Sequence, residues 1–180
     1  MSQSRYVALL RGINVGKAKR VSMADLRAAV ESLGYRDVRT LLNSGNVVFS
    51  GSDEDVDRVA RSIEATIESE FGFTSRVVVL TAEELAAIVR ENPIVDRCAD
   101  PSRFLVAVFR SPVETSSVQH LLTQDWEPSA LALVGRAAYL WCADGILDSP
   151  LSVAFGKAAG DRATARNWTT MLKLNALASG

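Results

Sequence analysis

Apolar residues in this chain fall into short unbroken runs and longer stretches spaced three or four apart, and the two kinds follow one another in a set order. Residues 6–10 are unbroken and closed by Arg11-Gly12, the pattern of a buried strand. Ser22 then offers an N-cap with Asp25 in the capping-box position. It opens a helix whose apolar residues are Met23, Leu26, Ala29, Val30 and Leu33 and which stops at Gly34. Two strand-like runs, 38–42 and 47–49, flank Asn43-Ser44-Gly45-Asn46 and predict a hairpin. Residues 53–71 place Val56, Val59, Ile63 and Ile67 on one face, with carboxylates in the first turn, and so predict a long helix. A Val-rich run at 76–80 closes the series, and the predicted order is βαββαβ.

Thr81 as N-cap and Glu84 three residues on predict a linker helix through Leu85, Ile88 and Val89, ended by Asn92-Pro93. Beyond it, 104–109 predicts a strand, 113–122 a helix with Val118, Leu121 and Leu122 inward, and 131–134 with 137–142 a hairpin about Gly135-Arg136. Helices are expected at 150–158 and from Thr164 to the end. The second half thus repeats strand, helix, hairpin, helix, with a helix in place of the last strand. The strand starts at Tyr6 and Phe104 are 98 residues apart, a spacing that suggests structural duplication, although no residue-level repeat accompanies it.

A βαββαβ order with short connections is the split-βαβ, ferredoxin-like arrangement, an antiparallel sheet covered by helices. The expected organisation is a subdomain at 1–80, a linker helix and loop at 81–102, and a βαββα-like subdomain at 103–180. An α+β class of this kind fixes no function.

Composition narrows the setting. At 180 residues the chain can form one domain or two small packed units. No apolar run is long enough to span a bilayer, and Arg5 and Arg11 interrupt the first residues where a secretory leader would be apolar. A cytoplasmic protein with no membrane partner is expected. Cys98 and Cys142 lack CxxC spacing, which argues for two reduced thiols rather than a disulfide framework or a zinc site. Net charge is −1, but residues 1–40 sum to +5, 41–156 to −9 and 157–180 to +3. Were the fold to bring the ends together, they would form a local positive field that attracts anions.

Two segments could carry chemistry. Arg11-Gly12-Ile13-Asn14-Val15-Gly16-Lys17, followed by Lys19 and Arg20, lies between the first strand and the first helix. Its glycines let backbone amides turn toward a ligand, and its cations suit a phosphate or carboxylate. It is not a nucleotide phosphate loop, since three residues rather than four separate the glycines and Ala18 follows the lysine. The plainer reading is a solvated basic turn. In the closing TARNWTTMLKL, read as a helix N-capped by Thr164, Arg166, Thr169 and Lys173 fall at i, i+3 and i+7 on one stripe. Trp168, Met171, Leu172 and Leu174 supply an apolar side. The plainer reading there is a core helix anchored by Trp168 with a wet cationic face.

Other candidates weigh less. His120 has no Cys or acid at ligand spacing. Asp53, Glu54, Asp55 and Asp57 are explained as partners of a helix dipole. Neither a nucleophile elbow nor an HExxH motif occurs. Tyr6 and Phe49 do not reproduce the exposed aromatics with which a βαββαβ sheet stacks RNA bases.

The stretches YVALLRGINVGKAKRVSMADLRAAVESLGY, RTLLNSGNVVF, TAEELAAIVRENP and TARNWTTMLKL cover the chain almost end to end. In that order they resemble the bacterial family called domain of unknown function 1697. Members usually have a second Gly where Lys17 or Ala18 stands and often Gln where Asn43 stands. The resemblance implies a duplicated ferredoxin-like α+β fold and no particular activity. The positions matching its motifs are Arg11, Gly12, Asn14, Gly16, Asn43, Ser44, Gly45, Asn46, Thr164, Arg166, Asn167, Trp168, Thr169 and Lys173.

The expectation is therefore a module that binds an anionic small molecule or a nucleic-acid backbone between the 11–20 loop and the last helix. Arg11, Lys17, Arg20, Arg166 and Lys173 would supply charge, and Asn14 and Asn167 would orient the ligand. Trp168 would wall the site, with Gly12, Gly16 and Thr169 completing it. No metal or cofactor is called for. Two other classes stay open: an enzyme acting on a phosphorylated or nucleic-acid substrate, for which Asp25 and Asp161 are the nearest acids in the chain, and a protein interaction module without a small ligand.

Overall fold

A computed structural model describes residues 3–180. The chain divides into two compact units, one running up to Ala86 and including Leu174–Gly180, the other comprising Ala87–Lys173.

In the first unit the elements are β1 (Gln3–Leu10), α1 (Met23–Glu31), β2 (Arg36–Leu41), β3 (Asn46–Ser52), α2 (Val56–Phe71), β4 (Val77–Thr81) and the start of α3 (Ala82–Arg90). The strands form one antiparallel sheet in the order β2-β3-β1-β4, with Tyr6 opposite Phe49 and Val7 opposite Leu80. Tyr6, Ala8 and Leu10 of β1 share a core with Val47 and Phe49 of β3, Leu26 and Val30 of α1, and Val59, Ile63 and Ile67 of α2. Burying one such isoleucine is worth about 1.5–3 kcal/mol, so these spaced apolar residues dictate which face each helix lays on the sheet.

Helix starts follow local chemistry. The Asp25 N–H donates to Ser22 Oγ at 3.0 Å, and Asp55 Oδ1 accepts from the N–H groups of Asp57 and Arg58, so α2 starts three residues after the predicted Asp53. At α3 the capping box closes reciprocally, with Thr81 N–H donating to Glu84 Oε2 at 2.9 Å and Glu84 N–H to Thr81 Oγ1 at 3.1 Å.

The second unit holds the end of α3, β5 (Phe104–Phe109), a 3₁₀ segment (Pro112–Thr123), β6 (Ala130–Val134), β7 (Ala137–Trp141), α4 (Pro150–Ala159), β8 (Ala163–Asn167) and the start of α5 (Trp168–Ser179). Its antiparallel sheet runs β6-β7-β5-β8, the order of the first sheet with each strand replaced by its counterpart. Both halves are split βαβ arrangements.

Two expectations are corrected here. The crossover at 113–122 is wound as 3₁₀ rather than α-helix, still with Val118 and Leu121 inward against Leu151 and Phe155. More consequentially, no helix begins at Thr164. Residues 163–167 instead form a fourth strand along β5, with Thr164 opposite Val108 and Arg166 opposite Val106. The second half is βαββαβ-like in full, its first crossover being the 3₁₀ segment. A polar four-residue TARN run has little strand signal of its own, and the ladder offered by β5 supplies what propensity does not.

Candidate functional site

The 11–20 loop of the first unit is a turned, anchored structure. Asn14 and Lys19 take left-handed backbone conformations, with φ of 55° and 52°. Ile13 is buried, and Gly45 lies against it: a Cβ added there would come within 2.8 Å of Ile13 Cδ1 and of Leu10 Cβ. Leu10 N–H donates to the Gly45 carbonyl at 2.8 Å. Asn14 is a clamp. Its Nδ2 donates to the carbonyls of Val21 (2.9 Å) and Asn43 (2.8 Å), and its Oδ1 accepts from Val21 N–H at 2.9 Å. The loop and the hairpin, two separate motifs in the sequence, are therefore one structural piece.

A second set of bonds fixes the loop to the residues before β4. Ser75 Oγ donates to the Arg11 carbonyl at 2.8 Å, and Arg11 N–H to the Arg76 carbonyl at 2.9 Å. Lys19 reaches across to donate from Nζ to the Thr74 carbonyl at 2.9 Å, with its ammonium 5.9 Å from the Phe73 ring centroid. Lys17 and Arg20 are exposed and make no hydrogen bond or ion pair among the described residues. Beside Arg20 opens a cleft of about 510 Å³ lined by Asn14, Arg20, Val21, Ser22, Met23 and Asn43. Its lining includes Ser22 and Met23 at the start of α1.

The structure reassigns several expected site residues. Asn14 spends both amide hydrogens on backbone carbonyls, so it shapes the cleft rather than orienting a ligand. Arg11 is exposed, as are Gly12 and Gly16. Ser22 and Met23, which the sequence reading assigns only to a helix start, and Asn43, read there as a hairpin turn residue and a position of the family motif, line the cleft.

The C-terminal candidates lie in the second unit and are arranged differently from the expected stripe. Arg166 is on β8, whereas Thr169 and Lys173 are exposed on α5, so the three do not share a helix. Arg166 is half-buried; its Nη1 donates to the Ala165 carbonyl at 2.8 Å, and burial pulls its pKa down to about 10, still cationic at neutral pH. Asn167, not Thr164, caps α5, its Oδ1 accepting from Thr170 N–H at 2.9 Å. Trp168 is buried and packs on Phe104, ring centroids 5.5 Å apart, which makes it a core residue rather than the wall of a site. Thr164 is buried too, and its hydroxyl has no hydrogen-bond partner among the described residues.

Tyr6 and Phe49 are fully buried and stacked at 5.6 Å, so they offer bases no platform. His120 is exposed. Among the described residues no group of three His, Cys, Asp or Glu could hold a metal, and no helix is long and apolar enough to cross a membrane.

The model of a family described as "Protein of unknown function (DUF1697)" matches residues 3–139. The chain belongs to that family. The DUF1697 match contains both halves of the clamped piece, the loop and the hairpin, whereas TARNWTTMLKL lies past its end. Among solved structures, one titled "The structure of conserved bacterial protein SP0830 from Streptococcus pneumoniae" is similar over 98% of this chain and 99% of that one. Its TM-score is 0.76 at 22% identity, a likeness of fold. Among curated proteins nothing matches the chain.

Proposed function

We propose that this DUF1697 protein is a cytoplasmic binding module for an anionic ligand, a phosphorylated metabolite, a nucleotide or a nucleic-acid backbone, received at the 11–20 loop. One observation carries the reading: an open cleft in which the exposed Arg20, unpaired among the described residues, stands beside the first turn of α1 and the exposed Asn43. An arginine can grip a phosphate with two parallel hydrogen bonds, and the amides of a helix start favour the same charge. Arg11 and Lys17 add charge on the same loop. Asn14 and Ile13 act indirectly, by holding the loop against the hairpin. Arg166 and Lys173, in the second unit, are proposed as an anion contact of their own, tested by separate variants.

The test is a thermal-shift series with pyrophosphate, ATP, glucose 6-phosphate and a short single-stranded RNA, each at two salt concentrations. Arg20→Ala with Lys17→Ala should abolish the shift while leaving the unliganded melting temperature within a degree or two. Lys19→Ala should retain it, because that ammonium is already engaged with Thr74 and Phe73. A steep loss with salt marks a polyanion with many phosphate contacts, and a shallow one a small molecule. An unchanged shift in the double variant sinks the assignment of the loop. An unchanged shift in Arg166→Ala with Lys173→Ala removes those two.

A further inference from the structure

The duplication places two versions of one strand in one chain. β2 and β6 hold the same outer position in their sheets, each paired on one side only among the described residues. β2 is defended in the ways sheet edges usually are: it carries Arg36, Asp37 and Arg39, and its register shifts between Arg36 and Arg39 where Asp37 takes a φ of 52°. β6 has none of this. It reads Ala-Leu-Ala-Leu-Val without a charge, and its register with β7 is unbroken from Ala130 opposite Trp141 to Val134 opposite Ala137.

The backbone of β6 is set up to pair outward. Gly135 (φ 56°) and Arg136 make a two-residue turn, across which Val134 and Ala137 form the closing hydrogen-bonded pair. Hydrogen bonding alternates along an antiparallel ladder, so Leu131 and Leu133 turn N–H and C=O toward the open side. Their side chains pack on the unit's core, and Ala132 points to the other face. The strand is also nearly palindromic about Ala132, with Leu131 and Leu133 equivalent and small apolar residues at both ends.

We infer that β6 is a self-association edge: two copies of this chain pair antiparallel through β6 about a two-fold axis at Ala132, with Leu131 of each copy hydrogen-bonded to Leu133 of the other. The occupant is a second copy because the palindrome makes the edge complementary to itself, as an isologous contact requires. It also carries no charge to repel its twin. The four-stranded second-unit sheets of the two copies then form one continuous eight-stranded sheet across the dimer, and the two Ala132 side chains meet at the axis about 4.5–5.5 Å apart.

Analytical ultracentrifugation of the full chain from 1 to about 200 µM tests this. Wild type should show a concentration-dependent dimer. Ala132→Lys and Ala132→Glu should each weaken association about tenfold or more, and an equimolar mixture of the two should restore it, since only a self-apposed position puts the opposite charges together. Circular dichroism checks that each variant folds. Should either charge variant unfold, Ala132→Cys replaces it. On oxidation with diamide, which takes up the two thiol protons and two electrons, the position-132 peptide should be recovered disulfide-linked to itself. A wild type monomeric throughout, a dimer indifferent to charge at 132, no restoration on mixing, or no self-linked peptide overturns the inference.

Discussion

Asn14 Nδ2 donates to the Asn43 carbonyl at 2.8 Å, so a single side chain fastens the first loop to a hairpin 29 residues further along the chain. With its two bonds to Val21 it holds three backbone groups at once. Asn14→Ala removes all three bonds and leaves a non-Gly, non-Asn residue at φ 55°. At about 1 kcal/mol per bond plus backbone strain, the expected loss is about 2–4 kcal/mol by urea denaturation. Asn14→Asp should be no better, because it keeps the acceptor for Val21 N–H but turns an oxygen toward two carbonyls. A side chain serving only a ligand would leave unliganded stability unchanged in both variants, and that result would refute the clamp.

Gly45 is the matching contact on the hairpin. Gly45→Ala puts a methyl at 2.8 Å from both Leu10 Cβ and Ile13 Cδ1, in a backbone conformation with φ of 83°. Leu10 cannot retreat without moving β1, so crowding and strain together should cost about 2–4 kcal/mol. Hydrogen exchange should show faster opening at Leu10, whose N–H is bonded to the Gly45 carbonyl, than at the Val59 and Ile63 amides of α2. Equal stability to wild type would mean that the loop does not rest on this residue.

Two substitutions at the C-terminal motif separate the two accounts of where α5 starts. Asn167→Ala removes the cap on Thr170 N–H and should cost about 1 kcal/mol. Thr164→Val replaces a buried hydroxyl that has no partner among the described residues with a methyl of similar size, and should be neutral or stabilising by up to about 1 kcal/mol. A helix capped by Thr164 predicts the reverse ranking. Thermal melts of the two variants therefore decide between strand and helix at 163–167.

What could be read from the sequence follows from how local each determinant is. Ser22, Thr81 and Glu84 cap helices through bonds spanning three residues, and the turn residues Asn43–Asn46 and Gly135-Arg136 mark hairpins by residue type and spacing alone, although Asn14 and Ile13 then fix the first hairpin from a distance. β8 was illegible because its partner is β5, some sixty residues earlier, and TARN by itself carries no alternation. The candidate site failed in a different way. Asn14 and Asn167 have the right chemistry for a ligand, but sequence does not say which group takes their hydrogen bonds, and here the chain's own backbone does. Arg20 and Lys17 differ from these in that no carbonyl or acid of the described residues claims them.

Tyr139 gives the fold a pH signature. Its hydroxyl donates to the Ile88 carbonyl at 2.8 Å within the second unit, and burial, helped by the nearby Glu91 charge, pushes its pKa up to about 12. An acid whose pKa is raised on folding stabilises the fold fully below its unfolded value near 10. That contribution is lost as pH climbs from there through 12, because the unfolded chain gives up the proton first. Tyr35, also raised to about 12 by burial and then by Glu54, adds to the same alkaline loss. Tyr139→Phe leaves the Ile88 carbonyl without its donor and should be less stable by about 1 kcal/mol at pH 7 to 9. Between pH 10 and 12 the variant no longer carries the Tyr139 penalty, so the gap should close and then reverse. Denaturation at pH 8, 10 and 11 measures it, and a gap that stays constant across the three would show that the hydroxyl titrates alike in the folded and unfolded chain.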